Sequence, residues 1–266
     1  MSSLWEQAEN ARVIDLAHPI EAGMPVSPNH PGFKMALQRR HGDMVRADGG
    51  SAANEMIMIG GHTGTHVDAL CHVSHQGALH GGVDAMGAQV GGRFRALGVE
   101  TIPITVCRGV LLDIPALHGV ACLDPGAAVT AADLSAAEAR AGVTVRAGDA
   151  VLIRTGWPKH WNDVETFLGN RGGVPGPDES AGQWLAERKV RITGAETIAY
   201  EWIPAGRGHA LLPVHRILLV ENGIHIIEAM NLEALAASGI SEFLFVMTPL
   251  KIVGATGVPV RPIAIA

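Results

Sequence analysis

The sequence is poor in cysteine and contains no long hydrophobic run, and each shortage excludes a class of protein. Its three cysteines, Cys71, Cys107 and Cys122, form neither a disulfide framework nor a CxxC pair. No uncharged apolar run approaches the roughly 18 residues that a transmembrane helix needs. The N-terminal segment is too acidic for a secretory signal. We therefore expect a protein of the reducing cytoplasm with no membrane partner.

Aromatic residues and positive charge are also scarce. The chain has 5 Phe, 5 Trp and 1 Tyr, and its formal net charge is −6. Nucleic-acid binding needs basic patches and stacking platforms, so we expect no nucleic-acid partner. The sequence also lacks the G-x-S-x-G, H-E-x-x-H and G-x-x-x-x-G-K motifs of other hydrolases and phosphate-binding proteins.

The sequence has the pattern of a folded α/β protein, and it contains no internal repeat and no low-complexity linker. The 266 residues are 47% hydrophobic and 17% charged, which suits a globular chain with a sizeable core. Short apolar runs bounded by Gly, Pro or Asp predict strands at 12–16, 55–59, 110–114, 150–154, 190–193, 224–230, 243–248 and 258–265. Capping signals predict helices at 130–141, 178–189 and 232–238. The sequence therefore predicts a single mixed α/β domain over residues 1–266 with a mainly β core.

Histidine is abundant, and its distribution is uneven. Of thirteen histidines, five fall within nineteen residues: His62, His66, His72, His75 and His80. Thr63, Gly64 and Thr65 are poor helix formers, so His66 and Asp68 are expected on one side of an extended segment that adjoins a turn.

The imidazoles of His62 and His66 and the carboxylate of Asp68 are ligand types that suit Zn²⁺ or Mn²⁺. No thiolate lies at ligand spacing, and three N/O ligands leave open positions, which favours a catalytic over a structural site. Two alternatives are an adventitious metal-binding surface and a thiol nucleophile formed by Cys71 with His72.

The segment His62-Thr-Gly-Thr-His66-Val-Asp68-Ala-Leu-Cys-His72 resembles the His-x-Gly-Thr-His-x-Asp-x-Pro-x-His signature of the metal-dependent cyclase/hydrolase family. That family includes bacterial kynurenine formamidases, isatin hydrolases and a trans-dienelactone hydrolase. Position 70 holds Leu where the signature has Pro. Further similar segments lie at 13–19, 149–157, 174–188 and 249–261, so the resemblance covers nearly the whole chain. It implies a swivelling β/β/α fold and assembly into a homodimer or homotetramer.

The resemblance also implies a role for individual residues. It implies one or two divalent ions per chain, Mn²⁺ or Zn²⁺, with Asp68 able to bridge two ions and His72 as the general acid/base. The implied metal ligands are His62, His66, Asp68, His215 and Glu228.

Glu228 is also notable without the resemblance. In an extended segment it shares a face with Ile226 and Met230, where an ionised carboxylate is costly unless it is paired or bound to metal. A salt bridge to an arginine is the alternative explanation.

The function expected from these features is hydrolysis of a small ring-containing carbonyl compound, with His72 moving the proton. Cleavage of a C–N bond in an arylformamide or cyclic amide is the first expectation, and lactone hydrolysis is the second. A non-catalytic metal-binding or ligand-binding protein of the same fold is a third possibility. Trp202, His209 and Phe94 are candidates for contact with the small-molecule substrate.

Overall fold

A computed structural model describes residues 3–266, so the first two residues of the predicted domain lie outside it. A nine-stranded sheet contains strands from both ends of this chain, in the order β1-β17-β15-β7-β9-β12-β14-β4-β16. Its strands are β1 (Val13–Asp15), β4 (His66–Asp68), β7 (Thr105–Asp113), β9 (Ala150–Arg154), β12 (Ile192–Ala195), β14 (His225–Glu228), β15 (Glu242–Met247), β16 (Gly257–Pro259) and β17 (Ile263–Ile265).

Eight short strands form four separate two-stranded sheets. They are β2 (Lys34–Arg39) with β3 (Asn54–Met58), β5 (Gln89–Val90) with β6 (Arg93–Phe94), β8 (Ala128–Val129) with β11 (Gly176–Pro177), and β10 (Gly173–Val174) with β13 (Ile203–Pro204).

The centre of the large sheet is parallel and its flanks are antiparallel. Strands β7, β9, β12 and β14 pair in parallel, and β9 is almost wholly buried, which explains its uninterrupted apolar sequence. Strands β15, β17 and β1 extend one flank, and β4 and β16 extend the other.

The sheet is strongly curled. Strand β16 is at one edge of the strand order and β17 is second from the other edge, yet only three residues separate them in the chain. At about 3.3–3.6 Å per residue, that connection spans at most roughly 14 Å. The two flanks must therefore approach each other. The large sheet, together with the helices around it, confirms the predicted mixed α/β class with a mainly β core.

The α-helices are short and do not all lie on one side of the sheet. The α-helices are α1 (Leu4–Glu9), α2 (Ile114–His118), α3 (Ala131–Ala141), α4 (Val164–Phe167), α5 (Glu179–Glu187), α6 (Pro213–His215) and α7 (Glu233–Ala237), and α6 continues into a π-helical turn over Arg216–Glu221. Short 3₁₀ turns occupy His80–Gly82, Val99–Thr101, Trp157–His160 and Gly208–Ala210.

Two large apolar clusters flank the sheet. One contains Leu134 of α3 and Leu185 of α5 together with Ile153 of the sheet. The other contains Phe245, Leu152 and Met230. No helix among residues 3–266 is long and apolar enough to cross a membrane.

The predicted elements agree with the structure except at a few boundaries. Thr130 and Asp178 cap α3 and α5 as their sequences indicate. Strand β7 begins at Thr105, five residues before its predicted start. The strand predicted over 258–265 is wrong as a single element. Pro262 has no N–H to donate, and the chain changes partners there, from β4 to β15 and β1.

Candidate metal centre

The turn before β4 orients His66. Gly64 has a φ of 64°, the left-handed conformation that glycine adopts without strain. Its carbonyl oxygen accepts a hydrogen bond of 2.8 Å from Nδ1 of His66. A carbonyl can only accept, so Nδ1 carries the proton and the lone pair of a neutral His66 is on Nε2. That atom is buried and has no hydrogen-bond partner within the described residues.

Asp68 is at the middle of the cluster. It is two residues after His66 in the same strand, so both side chains are on one face. Its Oδ1 is 2.9 Å from Nδ1 of His62 and 3.5 Å from Nε2 of His66, whereas the fully buried Oδ2 has no hydrogen-bond partner among the described residues. Burial alone would raise the pKa of Asp68, but the surrounding imidazoles, His72 and His62 first, lower it well below its ordinary value.

Strand β14 brings Glu228 to the same place. Its register sets Glu228 directly opposite His66 of β4, and Oε2 of Glu228 is 3.4 Å from Nε2 of His66. Oε1 is 3.0 Å from Nε2 of His215, which lies on α6. The alternative of an arginine salt bridge is wrong, because the charged partners of Glu228 in the described chain are these two imidazoles.

Glu201, which sequence reasoning missed, positions His215. It is 1% exposed. Its Oε1 accepts a hydrogen bond of 2.6 Å from Nδ1 of His215 and one of 2.9 Å from the backbone N–H of the same residue. Oε2 accepts the N–H of Val214 at 3.0 Å. The signal available in the sequence was an acidic residue beside the apolar run 198–200.

The carboxylates around His215 determine the direction in which its pKa is shifted. Burial lowers its pKa, but the hydrogen bonds that His215 donates to Glu201 and Glu228 outweigh burial and raise the pKa well above the ordinary value. Surroundings that favour an imidazolium also favour a metal cation on Nε2. The contact between Nδ1 and a carboxylate is the arrangement by which metal-binding histidines are commonly oriented.

His62 and His72 form a stacked pair beside Asp68. Their ring centroids are 3.9 Å apart, and Nε2 of His62 is 2.9 Å from Oγ1 of Thr256. A Cβ at Gly257 would lie 2.4 Å from Cε1 of His62, so only glycine permits this approach. Burial opposes protonation of His62, but the hydrogen bond and charge of Asp68 raise its pKa.

His72 faces the cluster although Leu70 replaces the motif proline. Leu70 packs in the apolar cluster that contains Leu134 and Leu185, and the N–H of His72 donates to the carbonyl of Ala69 at 2.9 Å, which closes the turn without proline. Burial, opposed by Asp68 and reinforced by the neighbouring imidazoles, lowers the pKa of His72 to about 3.

These donors fit a divalent cation. One set consists of His66, Asp68 and Glu228, and another of His62, Asp68 and His72, with the donor atoms of each set within 4.8 Å of one another. Asp68, Glu201 and Glu228 are buried, and in the part of the chain that the structure describes their charged partners are histidines, not lysine or arginine. Buried carboxylates without such a counter-charge are costly unless a cation joins them. The unpartnered Nε2 of His66 and Oδ2 of Asp68 face into this cluster.

A cavity leads to the cluster from the surface. Beside the histidines is a space of about 40 Å³, lined by Ser27, His30, His62, His72, Ile198, Ala199, His209, Leu212, His215 and Glu228. Ser27, Ile198 and His209 also line an adjoining cavity of about 370 Å³. The smaller space has room for water, and the larger one is within the size range of small-molecule sites.

The three predicted substrate contacts lie in different places. His209 lines both of these cavities. Trp202 lines a neighbouring groove, and its indole N–H donates to the carbonyl of Gly126 at 2.6 Å. Phe94 lines a separate glycine-rich groove beside Thr256 and Gly257. The structure therefore brings only His209 of the three to the cavity at the cluster.

The remaining members of the histidine-rich segment are outside the cluster. His75 is exposed, and Nδ1 of His80 is 2.9 Å from the carbonyl oxygen of Val220. Burial raises the pKa of the Cys71 thiol to about 11, which disfavours the thiolate that a Cys–His mechanism needs.

Known proteins are similar to this chain in fold and in sequence. The Cyclase family model matches residues 14–202. Isatin hydrolase from Roseibium aggregatum is 29% identical over 223 residues, which cover 82% of this chain and 77% of that protein. The crystal structure of a novel cyclase superposes with a TM-score of 0.86 at 30% identity and covers 98% of this chain and 90% of its own.

Isatin hydrolase A from Ralstonia solanacearum superposes with a TM-score of 0.73 at 26% identity. The alignment covers 97% of this chain and 93% of that one. The family match spans most of the sequence and includes the whole segment 62–72. The chain therefore belongs to the Cyclase family.

Proposed function

We propose that the protein is a metal-dependent hydrolase of a small ring-containing carbonyl compound, cleaving a C–N bond of a cyclic amide or arylformamide. The observation that carries the proposal is the pair of unpartnered atoms, Nε2 of His66 and Oδ2 of Asp68, in a buried cluster beside a cavity. The isatin hydrolases among its relatives act, by name, on a ring-containing carbonyl compound. That resemblance favours a cyclic amide over a lactone.

The residues that would hold the metal are His62, His66, Asp68, His215 and Glu228. Asp68 belongs to both donor sets, so one carboxylate can serve one ion or bridge two. Imidazole and carboxylate ligands suit Mn²⁺ and Zn²⁺. The chemistry that such an ion supplies is Lewis acidity at a carbonyl oxygen and a lower pKa of water.

His72 is the group we assign to proton transfer. It is stacked on His62, and its ring centroid is 6.3 Å from that of His215, so it lies at the edge of the donor cluster. As a neutral imidazole it can accept a proton from the attacking water and return it to the leaving nitrogen. Its position in the donor set with His62 and Asp68 makes a ligand role the competing assignment.

The substrate would occupy the cavity that Ser27 and His209 line. Ser27 is 4% exposed, and its hydroxyl has no hydrogen-bond partner within the described residues. An unpaired buried hydroxyl costs stability, and a polar group of a substrate would supply the missing partner. We propose that Ser27 binds a carbonyl or amide of the substrate and that Ile198 packs against its ring. Trp202 and Phe94 are predicted contacts only for a substrate that extends into the neighbouring grooves.

The existence of this cavity favours an enzyme over a non-catalytic binding protein. A protein that only stored a cation would fill the remaining coordination positions with its own groups. Here a space large enough for water separates the donors from Leu212 and Ala199.

Replacing His66 with Ala tests the metal site. The variant is expected to lose bound metal and at least about 100-fold of its hydrolytic rate, because it lacks a donor that the other ligands cannot replace. Elemental analysis per chain, and rates on isatin, formanilide and a lactone, measure both effects. His75→Ala is the matched control from the same segment. Activity that survives in His66→Ala, or in wild-type protein after exhaustive chelation, contradicts the proposal, whereas addition of Mn²⁺ or Zn²⁺ should restore chelated protein.

Glu201→Gln tests the positioning of His215. A glutamine is uncharged and has one acceptor oxygen for three N–H donors, so its NH₂ group must face one of them. The contact that orients His215 is weakened, and metal affinity is expected to fall by about 10–100-fold. Titration of the metal-free protein with Mn²⁺ or Zn²⁺ measures the affinity. Glu221→Gln, an exposed position on the following turn, should bind metal as the wild type does. Equal affinity in the two variants would show that Glu201 has only a structural role.

His72→Gln separates proton transfer from metal binding. If His72 moves the proton, kcat is expected to fall by about 10²–10⁴-fold while the metal content per chain stays unchanged. Loss of metal from this variant would instead identify His72 as a ligand and remove it from the proton-transfer step.

Ser27→Ala tests the substrate contact through two measurements, the free energy of unfolding and KM. Removing an unpaired buried hydroxyl should leave the free energy of unfolding unchanged or raise it. KM should rise by about 2- to 10-fold, the equivalent of one hydrogen bond, with metal content unchanged. Ser27→Thr keeps the hydroxyl and is the matched comparison. A lower stability with an unchanged KM would mean that the hydroxyl serves the fold and not the substrate.

A further inference from the structure

Two residues next to carboxylates of the candidate metal centre have the left-handed backbone conformation although neither is glycine. Ala229 has a φ of 48° and follows Glu228, and Tyr200 has a φ of 60° and precedes Glu201. Both are fully buried. Backbone strain of this kind costs free energy and persists only where the surrounding structure enforces it, which is commonly at functional sites. Each of the two conformations therefore needs a local cause.

The strand ladder explains why the carbonyl of Ala229 needs a partner. Strands β14 and β4 pair as far as Glu228 opposite His66, and the next pair in this register would be Ala229 opposite Thr65. The left-handed turn at Ala229 ends the ladder there, and the chain then bridges to the segment that follows β1. A buried carbonyl that leaves a ladder must find another donor.

The hydroxyl of Thr65 is that donor. Its Oγ1 donates a hydrogen bond of 2.6 Å to the carbonyl oxygen of Ala229 and accepts the backbone N–H of His18 at 3.0 Å. The N–H of Ala229 donates to the carbonyl oxygen of Thr197 at 3.0 Å. Thr65 is 1% exposed, so solvent has little access to these bonds. Both backbone polar groups of Ala229 are therefore held, one of them by a side chain.

The second left-handed residue has a similar arrangement. The hydroxyl of fully buried Thr197 donates to the carbonyl oxygen of Tyr200 at 3.2 Å. Among the five non-glycine residues with positive φ in the described chain, Ala229 and Tyr200 are the two whose carbonyl accepts a threonine hydroxyl. They are also the two that adjoin the carboxylates on either side of His215. The coincidence links the buried threonines to the geometry of the metal centre.

We propose that Thr65 is a positioning residue of the metal centre, which holds Ala229 in its left-handed conformation and so aims the carboxylate of Glu228. The inference rests on the proposed metal site. Glu228 is the last residue of β14, so its backbone is fixed on one side by the ladder and on the other by Ala229. Its two carboxylate oxygens contact His215 at 3.0 Å and His66 at 3.4 Å, and a change in direction would break at least one of these contacts.

The position of Thr65 suits this role because the residue also directly precedes His66. Its carbonyl oxygen accepts the N–H of Val260 at 2.9 Å, which ties its backbone to the end of β16. Its side chain ties the same residue to the end of β14. One threonine therefore fixes the strand end that carries Glu228 relative to the turn that carries His66.

Metal titration of three variants tests the proposal. Thr65→Val keeps the shape of the side chain and removes the hydroxyl, and the affinity of the metal-free protein for Mn²⁺ or Zn²⁺ is expected to fall by about 10-fold or more. Thr65→Ser keeps the hydroxyl and should bind metal as the wild type does. Thr105→Val is the matched control, because it removes another buried threonine hydroxyl, bonded to the carbonyl of Pro103 at 3.2 Å, in a strand that carries none of the metal donors. It should keep the wild-type affinity.

The strain at position 229 provides a second test. Glycine adopts a φ of 48° without strain, so the double variant Thr65→Val/Ala229→Gly no longer needs the hydroxyl to hold the turn. Its metal affinity is expected to return to within about threefold of the wild type, because the two substitutions act on the same turn and are not additive. If Thr65→Val does not fold, this double variant, from which the strain has been removed, decides the question.

Wild-type affinity in Thr65→Val would overturn the proposal. So would an equal loss of affinity in Thr65→Ser or Thr105→Val, or a double variant that binds metal as weakly as Thr65→Val. A wild type that takes up no metal removes the proposed hydrolase as well, whereas a wild type that binds metal no more tightly than Thr65→Val removes only the role of Thr65.

Discussion

The arrangement of this site depends on buried carboxylates that have no lysine or arginine to neutralise them within the described chain. Asp68, Glu201 and Glu228 are each under 10% exposed, and imidazoles are their charged neighbours. Such a cluster is unfavourable unless positive charge joins it. A divalent cation satisfies the carboxylates and the lone pairs of the histidines together, which is why the cluster has the composition of a metal site and not of a salt-bridge network.

The pairing of three neighbouring strands brings the cluster together. Strand β4 supplies His66 and Asp68, and it lies between β14, which carries Glu228, and β16, whose Gly257 lets His62 approach. The antiparallel registers of β4 with its two neighbours set Glu228 opposite His66 and Gly257 opposite Asp68. A slip of one residue would move His66 and Asp68 to the opposite face. The strand registers on this flank of the sheet therefore build the site.

Groups just outside the cluster orient it. Gly64 selects the tautomer of His66 through its carbonyl, and Glu201 does the same for His215. In a neutral imidazole this places the lone pair on Nε2, the atom that would bind a cation. The orienting acceptors come from a turn and from a segment far along the chain, so the two histidines are held independently.

Local signals in the sequence were sufficient to predict the class of the fold and the part of the site that lies within one segment. Apolar runs and caps are local signals, and the spacing of His62, His66, Asp68 and His72 places those side chains together through a few turns of backbone. The resemblance of that segment to a family signature then extended the set to His215 and Glu228.

The contacts between distant segments could not be predicted in the same way, because they depend on how the whole chain folds. Glu201, Thr256 and Ser27 reach the site through sheet pairing and loop packing, for which their own neighbours in the sequence carry no periodic signal. The same holds for Trp202 and Phe94, whose aromatic character indicated a pocket but not which groove they line. The exposure of both faces of the β2–β3 hairpin is likewise a tertiary fact, because an alternating strand pattern does not say whether anything covers either side.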